Sequence, residues 1–257
     1  MANIAFITGA ASGIGLATAQ RLHQRGWKLG LADWDIERLQ QVSDNWDKQR
    51  VQCYQLDVRD AQQVTQVLNA FAQQHDGRLH LLFNSAGILQ IDAFADISAE
   101  RHQQIIDINV MGTIHCCQAA FPYLKQTDFA QVINMSSASA TYGIPNMAVY
   151  SASKFAVQGL TEALSIEWQP FAIRVTDIMP PFVNTTMLTE QKNTPAILQR
   201  MGTHISAEQV ADSVMAQLEI PRLHRTVGWR FTLTHRLSDW LPRFVTGWSI
   251  RWLNRPL

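Results

Sequence analysis

The sequence has few cysteines and no excess charge. Cys53, Cys116 and Cys117 are the three cysteines among 257 residues, and two of them are adjacent. An odd number with this spacing argues against a disulfide framework and for a reducing compartment. We therefore interpret the three as small buried apolar residues. The 21 basic and 21 acidic residues balance, which gives no support for a nucleic-acid partner.

Long hydrophobic runs and targeting signals are also missing. No stretch reaches the ~18 unbroken apolar residues that a membrane-spanning helix needs. The first predicted strand begins at Ile4 without a basic region or cleavage pattern before it, so we expect no signal peptide and a cytoplasmic protein. The eight histidines are scattered and no phosphate-binding Gly-x-x-x-x-Gly-Lys-Ser/Thr pattern occurs. We therefore predict no metal site and no nucleotide hydrolysis.

What the chain does have is an alternation of short apolar runs and longer segments of helical period. Parallel strands that helices cover on both faces read as near-continuous hydrophobic runs. The pattern predicts an α/β fold, a Rossmann-like doubly wound parallel sheet with helices on both faces, in a single domain. The predicted strands lie near Ile4 to Thr8, Leu29 to Ala32, Val51 to Leu56, Leu79 to Asn84, Val132 to Met135 and Ile173 to Met179.

A glycine-rich turn follows the first predicted strand. Gly9, Gly13 and Gly15 lie between this strand and an apolar-periodic helix. Glycine suits a backbone that approaches a pyrophosphate closely, and the amides and positive dipole end of the next helix favour phosphates. The turn predicts a dinucleotide site. A plain glycine-rich turn is the alternative, since the Gly-x-x-x-Gly-x-Gly spacing differs from the commonest fingerprint.

Asp33 ends the second apolar run, close to the roughly 20-residue offset expected for the acid that binds the adenine ribose. A 2′-phosphate beside this carboxylate would cost roughly 4 kcal/mol per unit charge at 4 Å and an effective dielectric near 20. Trp34 follows the acid, and Ala10, Ala11 and Ser12 offer no cation. We therefore predict NAD as cofactor, with NADP disfavoured. Helix capping is the alternative role for Asp33, although Asp35 suits it better.

Tyr150 and Lys154 are four residues apart, with Ser137 thirteen positions upstream of Tyr150. In a helix this spacing puts the ammonium beside the phenol. A nearby cation should lower the Tyr150 pKa toward the range of general acid-base catalysis. Ser137 would then orient a substrate oxygen. The alternatives are an exposed helical pair for Tyr150 and Lys154 and ordinary turn chemistry for Ser137.

These motifs, in this order over about the first 190 residues, resemble the short-chain dehydrogenase/reductase family. Asn84-Ser85-Ala86-Gly87 is similar to the family's Asn-Asn-Ala-Gly, with Ser85 in place of an Asn. The segment from Pro180 to Thr185 resembles Pro-Gly-x-Val-x-Thr, but Pro181 replaces the Gly. Proline fixes φ and removes an amide donor, so any contact that the family makes through that amide is in doubt.

The resemblance implies hydride transfer between a secondary alcohol or ketone and a nicotinamide, in a homodimer or homotetramer. Tyr150 would be the general acid/base, Lys154 would also hold the nicotinamide ribose, and Asn109 would anchor a water beside Lys154. A non-catalytic dinucleotide-sensing protein is the alternative. The implied catalytic residues are Asn109, Ser137, Tyr150 and Lys154. The implied cofactor-binding residues are Gly9, Ser12, Gly13, Ile14, Gly15, Asp33, Asp57, Val58, Asn84, Ala86, Gly87, Tyr150, Lys154, Pro180, Val183 and Thr185.

We assign residues 1–220 to the catalytic domain, with a substrate loop at about 186–205. The family resemblance implies that this loop closes over the substrate, and its apolar residues suggest an apolar lid; ordinary packing is the alternative. The apolar loop residues are Met187, Leu188, Pro195, Ile197, Leu198 and Met201. Further candidates for the pocket wall are Leu89, Tyr142, Ile144 and Met147.

Residues 221–257 form a basic, aromatic extension with seven arginines against one acid, Asp239. We predict that it packs on the domain or on a partner subunit. Peripheral contact with a membrane surface and cover of a lipophilic entrance are less favoured alternatives. One helical stripe would result if Pro242 only restarts the helix. Its members would be Leu237, Trp240, Leu241, Phe244, Trp248 and Trp252.

Overall fold

The computed structural model describes residues 2–191, 193, 196–202, 205–238 and 243–253. Its centre is a parallel sheet of seven strands in the order β3-β2-β1-β4-β5-β6-β9. These strands are β1 (Ile4–Thr8), β2 (Lys28–Asp33), β3 (Val51–Gln55), β4 (Leu81–Asn84), β5 (Gln131–Met135), β6 (Arg174–Met179) and β9 (His224–Thr226). Two further strands, β7 (Val183–Asn184) and β8 (Ile205–Ser206), pair with each other. The predicted α/β class and parallel sheet are confirmed.

Helices cover both faces of the sheet. The larger ones are α1 (Gly13–Gln24), α2 (Ile36–Val42), α3 (Ala61–Gln73), α4 (Ala99–Ile106), α5 (Gly112–Lys125), α6 (Ala148–Glu167) and α9 (Ala207–Glu219). The segment predicted to be the substrate loop contains α7 (Thr186–Thr189) and α8 (Ala196–Met201), and the C-terminal region forms α10 (Trp229–Ser238) and α11 (Arg243–Leu253). No helix in the described ranges is both long enough and apolar enough to cross a membrane.

The sheet divides the core into two layers. Ala5 and Ile7 of β1 belong to one buried cluster, whereas Ile4 and Phe6 belong to the other. Successive side chains of a strand point to opposite faces, so a run that is apolar at every position fills both layers. Cys116 and Cys117 are buried, and neither they nor Cys53 form a disulfide.

The seventh strand was missed by the sequence analysis. β9 pairs in parallel with β6, with Asp177 opposite His224 and Met179 opposite Thr226. A three-residue edge strand reading His-Arg-Thr carries no hydrophobic run, so its sequence gave no strand signal. The main sheet therefore continues beyond residue 220. The predicted stripe is divided between α10 and α11, and Trp240 and Leu241 lie outside the described residues.

Candidate functional site

One cavity of about 510 Å³ lies at the carboxyl ends of the strands. All strands of the main sheet run parallel, so the residues that follow them meet at one edge, where open α/β sheets bind ligands. Most residues predicted for the site line this cavity: Gly9, Ser12, Gly13, Ile14, Asp33, Asp57, Val58, Ala86, Gly87, Ser137, Tyr150, Lys154, Pro180, Val183 and Thr185. Gly15, Asn84 and Asn109 were predicted as well but do not line it.

The turn between β1 and α1 has the geometry of an anion site. Gly9 and Gly13 adopt φ angles of 68° and 53°, a left-handed region that favours glycine. A Cβ at Gly9 would come within 2.8 Å of the Ala86 nitrogen. The Ser12 side chain makes no capping bond, and the first turn of α1 has no acidic residue. The helix amides and the Ser12 hydroxyl are therefore suited to a pyrophosphate.

Asp33 is held at the end of β2 by backbone amides. Its Oδ2 accepts from the Ala11 nitrogen at 2.9 Å and its Oδ1 from the Asp35 nitrogen at 3.1 Å. These bonds fix the carboxylate beside the glycine turn, and each oxygen keeps a lone pair for a ribose hydroxyl. Helix capping, the alternative role considered for Asp33, is performed by Asp35, whose side chain caps α2 by accepting from the Arg38 nitrogen.

Arg59 is a cavity residue that the sequence analysis missed. Its guanidinium forms a fork with Asp57, with Nε 2.9 Å from Oδ1 and Nη2 2.5 Å from Oδ2. This hydrogen-bonded pair lowers the pKa of the Asp57 carboxyl. The Asp-x-Arg spacing is the only sequence signal for it. The Arg59 guanidinium in the cavity wall thus already has a carboxylate partner.

Asn84 turns into the protein interior. Its Nδ2 donates to Asn134 Oδ1 at 2.9 Å, and its Oδ1 finds no partner among the described residues. The loop that follows is held by Thr8, whose Oγ1 accepts from the Ser85 and Ala86 nitrogens, each at 3.2 Å. Asn84 therefore supports the site from beneath the cavity. Ser85, which stands where the family pattern has an Asn, lines the cavity.

Asn109 also supports the site from behind. It lies in a π-helical turn, Asp107–Met111, and is 1% exposed. Its Oδ1 accepts from the Ile88 nitrogen at 2.8 Å, and its Nδ2 donates to the Ile88 oxygen and to Ser153 Oγ, each at 3.0 Å. The amide thereby joins the loop after β4 to α6. Its water-anchoring role remains a prediction.

Helix α6 brings Tyr150 and Lys154 to the cavity, where Lys154 is buried and Tyr150 is half-buried. Lys154 Nζ donates to the Met135 oxygen at 2.8 Å and lies 5.5 Å from the centre of the Tyr150 ring. Ser137 follows β5, and its hydroxyl accepts from the Ser139 nitrogen at 3.1 Å. The three predicted side chains therefore meet at one place.

The pKa of Tyr150 differs from the sequence-based expectation. Burial raises it, against the opposing effect of a hydrogen bond with Ser137, so proximity to Lys154 does not produce the predicted lowering. The same desolvation lowers the pKa of Lys154 to about 8. Desolvation disfavours the charged form of both groups, and among the described residues no carboxylate offsets its effect on the Lys154 ammonium.

Apolar side chains pack against Tyr150. Leu89, Ile91 and Met147 form a buried cluster, against which Ile144, Tyr150, Phe182 and Leu188 pack. Met187 and Leu188 of α7 line the cavity, and Ile197 and Leu198 of α8 are buried. Tyr142 is not a wall residue; it faces Gly247 of α11. Pro195 and the side chain of Met201 lie outside the described part of the chain.

Two polar wall residues, Arg101 and Gln104, were not predicted. Arg101 donates to Gln104 Oε1 at 2.6 Å and to the Leu89 oxygen at 3.3 Å. Gln191 joins the substrate loop to the same segment, since its Oε1 accepts from the Ile91 nitrogen at 2.9 Å. These contacts depend on tertiary neighbours that leave no local pattern in the sequence.

Comparison with known proteins identifies the family. A family model described as short chain dehydrogenase matches residues 3–196. An uncharacterized oxidoreductase of Staphylococcus aureus (strain USA300) is 31% identical over 219 residues, which cover 85% of this chain and 92% of that protein.

Solved structures agree with this assignment. A short-chain dehydrogenase/reductase from Burkholderia phymatum in complex with NAD has a TM-score of 0.82 and 28% identity, with 92% of each chain covered. The structure of ElxO with NADP bound has a TM-score of 0.79 and 22% identity, covers 88% of this chain and 97% of that chain, and supports the fold alone. From its sequence and its fold, this chain belongs to the short-chain dehydrogenase/reductase family.

Proposed function

We propose that this chain is an NAD-dependent oxidoreductase that interconverts a secondary alcohol and a ketone, with Tyr150 as general acid/base. The observation that carries the proposal is the meeting of Ser137, Tyr150 and Lys154 in the same cavity as the glycine turn. A binding protein without catalysis would need the turn but not the phenol and the ammonium beside it. Their convergence favours catalysis.

The residues present fit a dinucleotide. Open amides at the start of α1 suit the pyrophosphate, Asp33 suits the adenine ribose, and Lys154 and Thr185 lie farther along the same cavity. When bound, the nicotinamide supplies the hydride acceptor or donor. We assign the nicotinamide ribose to Lys154, as the family resemblance implies, and the carboxamide end to Val183 and Thr185.

The proton steps belong to the chain's own residues. In oxidation Tyr150 takes the proton of the substrate hydroxyl, and in reduction it returns a proton to the carbonyl oxygen. Ser137 bonds to the same substrate oxygen and holds it beside the phenol. The raised pKa of Tyr150 favours its protonated form, which is the form that donates to a carbonyl oxygen. Leu89, Met147 and Leu188 favour an apolar substrate.

A Tyr150→Phe variant tests the proton-transfer role. Because phenylalanine keeps the ring but has no hydroxyl, we expect a loss of about 10²-fold or more in kcat with unchanged NAD affinity. Turnover is measured as NAD reduction across sterols, retinoids, long-chain alcohols, sugars and hydroxy acids, and affinity by NAD titration. Turnover that survives in the variant would show that Tyr150 is not the acid/base. A preference for sugars would contradict the apolar substrate.

A further inference from the structure

The two C-terminal helices carry large apolar side chains on the protein surface. On α10, Trp229, Leu233 and Leu237 follow one another at intervals of four residues, and all are more than half exposed. On α11, Trp248 and Trp252 repeat the same spacing and are also more than half exposed. Residues four apart share one face of a helix. Each helix therefore presents an apolar row to the solvent.

Arginines accompany both rows. Arg230, Arg236 and Arg251 are exposed, and the Arg230 guanidinium lies 5.5 Å from the centre of the Trp229 ring. Within the described residues no salt bridge involves any of the three. Since the whole chain is neutral, the seven arginines after residue 220 concentrate its positive charge at this end. Basic and aromatic side chains are thus exposed together on each of the two helices.

The other side of α11 is attached to the protein. Gly247 is buried, and a Cβ added there would lie 3.1 Å from Tyr142 Oη. Arg200 of α8 donates from Nη1 to the Trp252 oxygen at 2.7 Å and to the Leu253 oxygen at 2.8 Å, and so binds the carbonyl end of α11. With one side engaged in this way, Trp248 remains on the outer side.

We infer that α10 and α11 form a docking surface for an anionic lipid bilayer. Tryptophan sits well at the boundary between headgroups and acyl chains, and each arginine near the surface gains from anionic headgroups. A second copy of this chain is a poorer occupant, because an isologous contact would set one basic surface against another. The helices would lie in the interface, since neither is long enough to cross it.

Vesicle sedimentation of the full chain tests this surface without any turnover, so its result is independent of the proposed reaction. We expect the chain to pellet with vesicles of phosphatidylcholine and phosphatidylglycerol, and to remain in the supernatant with phosphatidylcholine alone. Trp229→Ser with Trp248→Ser removes the side chains that are 73% and 65% exposed. This double variant should bind anionic vesicles more weakly than the native chain, by about tenfold or by a larger factor.

A matched control removes equally exposed apolar side chains from other parts of the surface. Phe129 and Ile166 are 79% and 73% exposed, and Phe129→Ser with Ile166→Ser should keep native vesicle binding. Circular dichroism confirms that both double variants fold. The inference is overturned if the Trp229→Ser and Trp248→Ser variant binds anionic vesicles as well as the native chain does. It is also overturned if the native chain binds neutral and anionic vesicles equally. Failure of the native chain to bind vesicles also overturns it. If the Trp229→Ser and Trp248→Ser variant then differs from the native chain in oligomeric state in sedimentation velocity, the two helices form a self-association surface instead.

Discussion

At the scale of single residues, Tyr150 and Lys154 lie one helical turn apart in the cavity wall, with Lys154 buried and Tyr150 half-buried. Their four-residue spacing in the sequence predicted that the two side chains lie close together, and they do so on α6. It did not predict the direction of the Tyr150 pKa, because desolvation depends on groups such as Leu89 and Phe182 that come from other parts of the chain. Burial therefore decides the charge state that this pair prefers.

Lys154→Met tests the energetic cost of the buried ammonium. A fall of the pKa from 10.5 to about 8 corresponds to about 3 kcal/mol of destabilisation below pH 8. Between pH 8 and 10.5 the unfolded chain binds a proton that the folded chain lacks, so this penalty fades as pH rises. Allowing for the lost bond to Met135, we expect the variant to gain about 1–2 kcal/mol at pH 7.

Urea unfolding of the Lys154→Met variant and the native chain at pH 7 and pH 10 measures this difference, because other titrating groups contribute equally to both. The gain should shrink at pH 10. A variant that is less stable at pH 7 would show that the hydrogen bond from Lys154 to the Met135 oxygen outweighs desolvation of the ammonium.

Asp33→Asn tests the basis of the predicted cofactor preference. Asparagine keeps one oxygen for the Ala11 amide but removes the charge that opposes a 2′-phosphate. We expect the ratio of kcat/KM for NADP to that for NAD to rise about tenfold or more. Steady-state kinetics with both cofactors provide the measurement. An unchanged ratio would mean that Asp33 does not face the adenine ribose.

At the scale of secondary-structure elements, the edge strand β9 is joined to β6 by contact between the buried carboxyl of Asp177 and the half-buried imidazole of His224. Asp177 is fully buried, and its Oδ2 lies 2.9 Å from His224 Nδ1. Burial raises the pKa of Asp177, and the carboxylate in turn raises the pKa of His224. On the other side of the imidazole, Glu162 Oε1 lies 3.3 Å from Nε2. The strand thus depends on a side-chain pair as well as on its short backbone ladder.

His224→Ala should destabilise the fold by about 2–4 kcal/mol, because it leaves the buried Asp177 carboxylate without its partner. Adding Asp177→Asn to this variant should restore part of the loss by removing the unpaired charge. Glu162→Gln is the matched control, and its half-exposed side chain should contribute less than about 1 kcal/mol. Urea unfolding of the four proteins gives the values. Equal losses for His224→Ala and Glu162→Gln would contradict this account.

At the scale of the whole molecule, the proposed cofactor site draws on most of the sheet. Gly9 follows β1, Asp33 ends β2, Ser137 follows β5 and Pro180 follows β6. A ligand that binds across these segments interacts with the folded chain only, since unfolding separates them. Binding should therefore stabilise the protein as a unit.

Thermal unfolding with added NAD measures this coupling. At about 100 times its Kd, NAD should contribute about 2.7 kcal/mol, which for a chain of this size raises Tm by about 5–10 °C. Tyr150→Phe should show the same rise, and NADP at equal concentration a smaller one. No rise with NAD, or a larger one with NADP, would count against the proposed cofactor. Differential scanning fluorimetry is sufficient for the comparison.

The sequence by itself determined the fold class and most of the cavity wall. Its apolar runs mark strands that are buried on both faces, and the residues just after each run fall at one edge because the strands are parallel. The glycine turn and the Tyr150 and Lys154 pair are likewise local patterns. Glycine permits the positive φ angles that Gly9 and Gly13 adopt, and the four-residue spacing of Tyr150 and Lys154 places both on one face of a helix.

Only the tertiary structure decided the remaining features. It added β9, turned Asn84 inward, paired Asp57 with Arg59 and brought Arg101 to the cavity. Each depends on contacts between segments far apart in the chain, or on side-chain directions that sequence spacing does not specify. Burial and hydrogen-bond partners are properties of the packed molecule, and for that reason the pKa of Tyr150 was set by the fold.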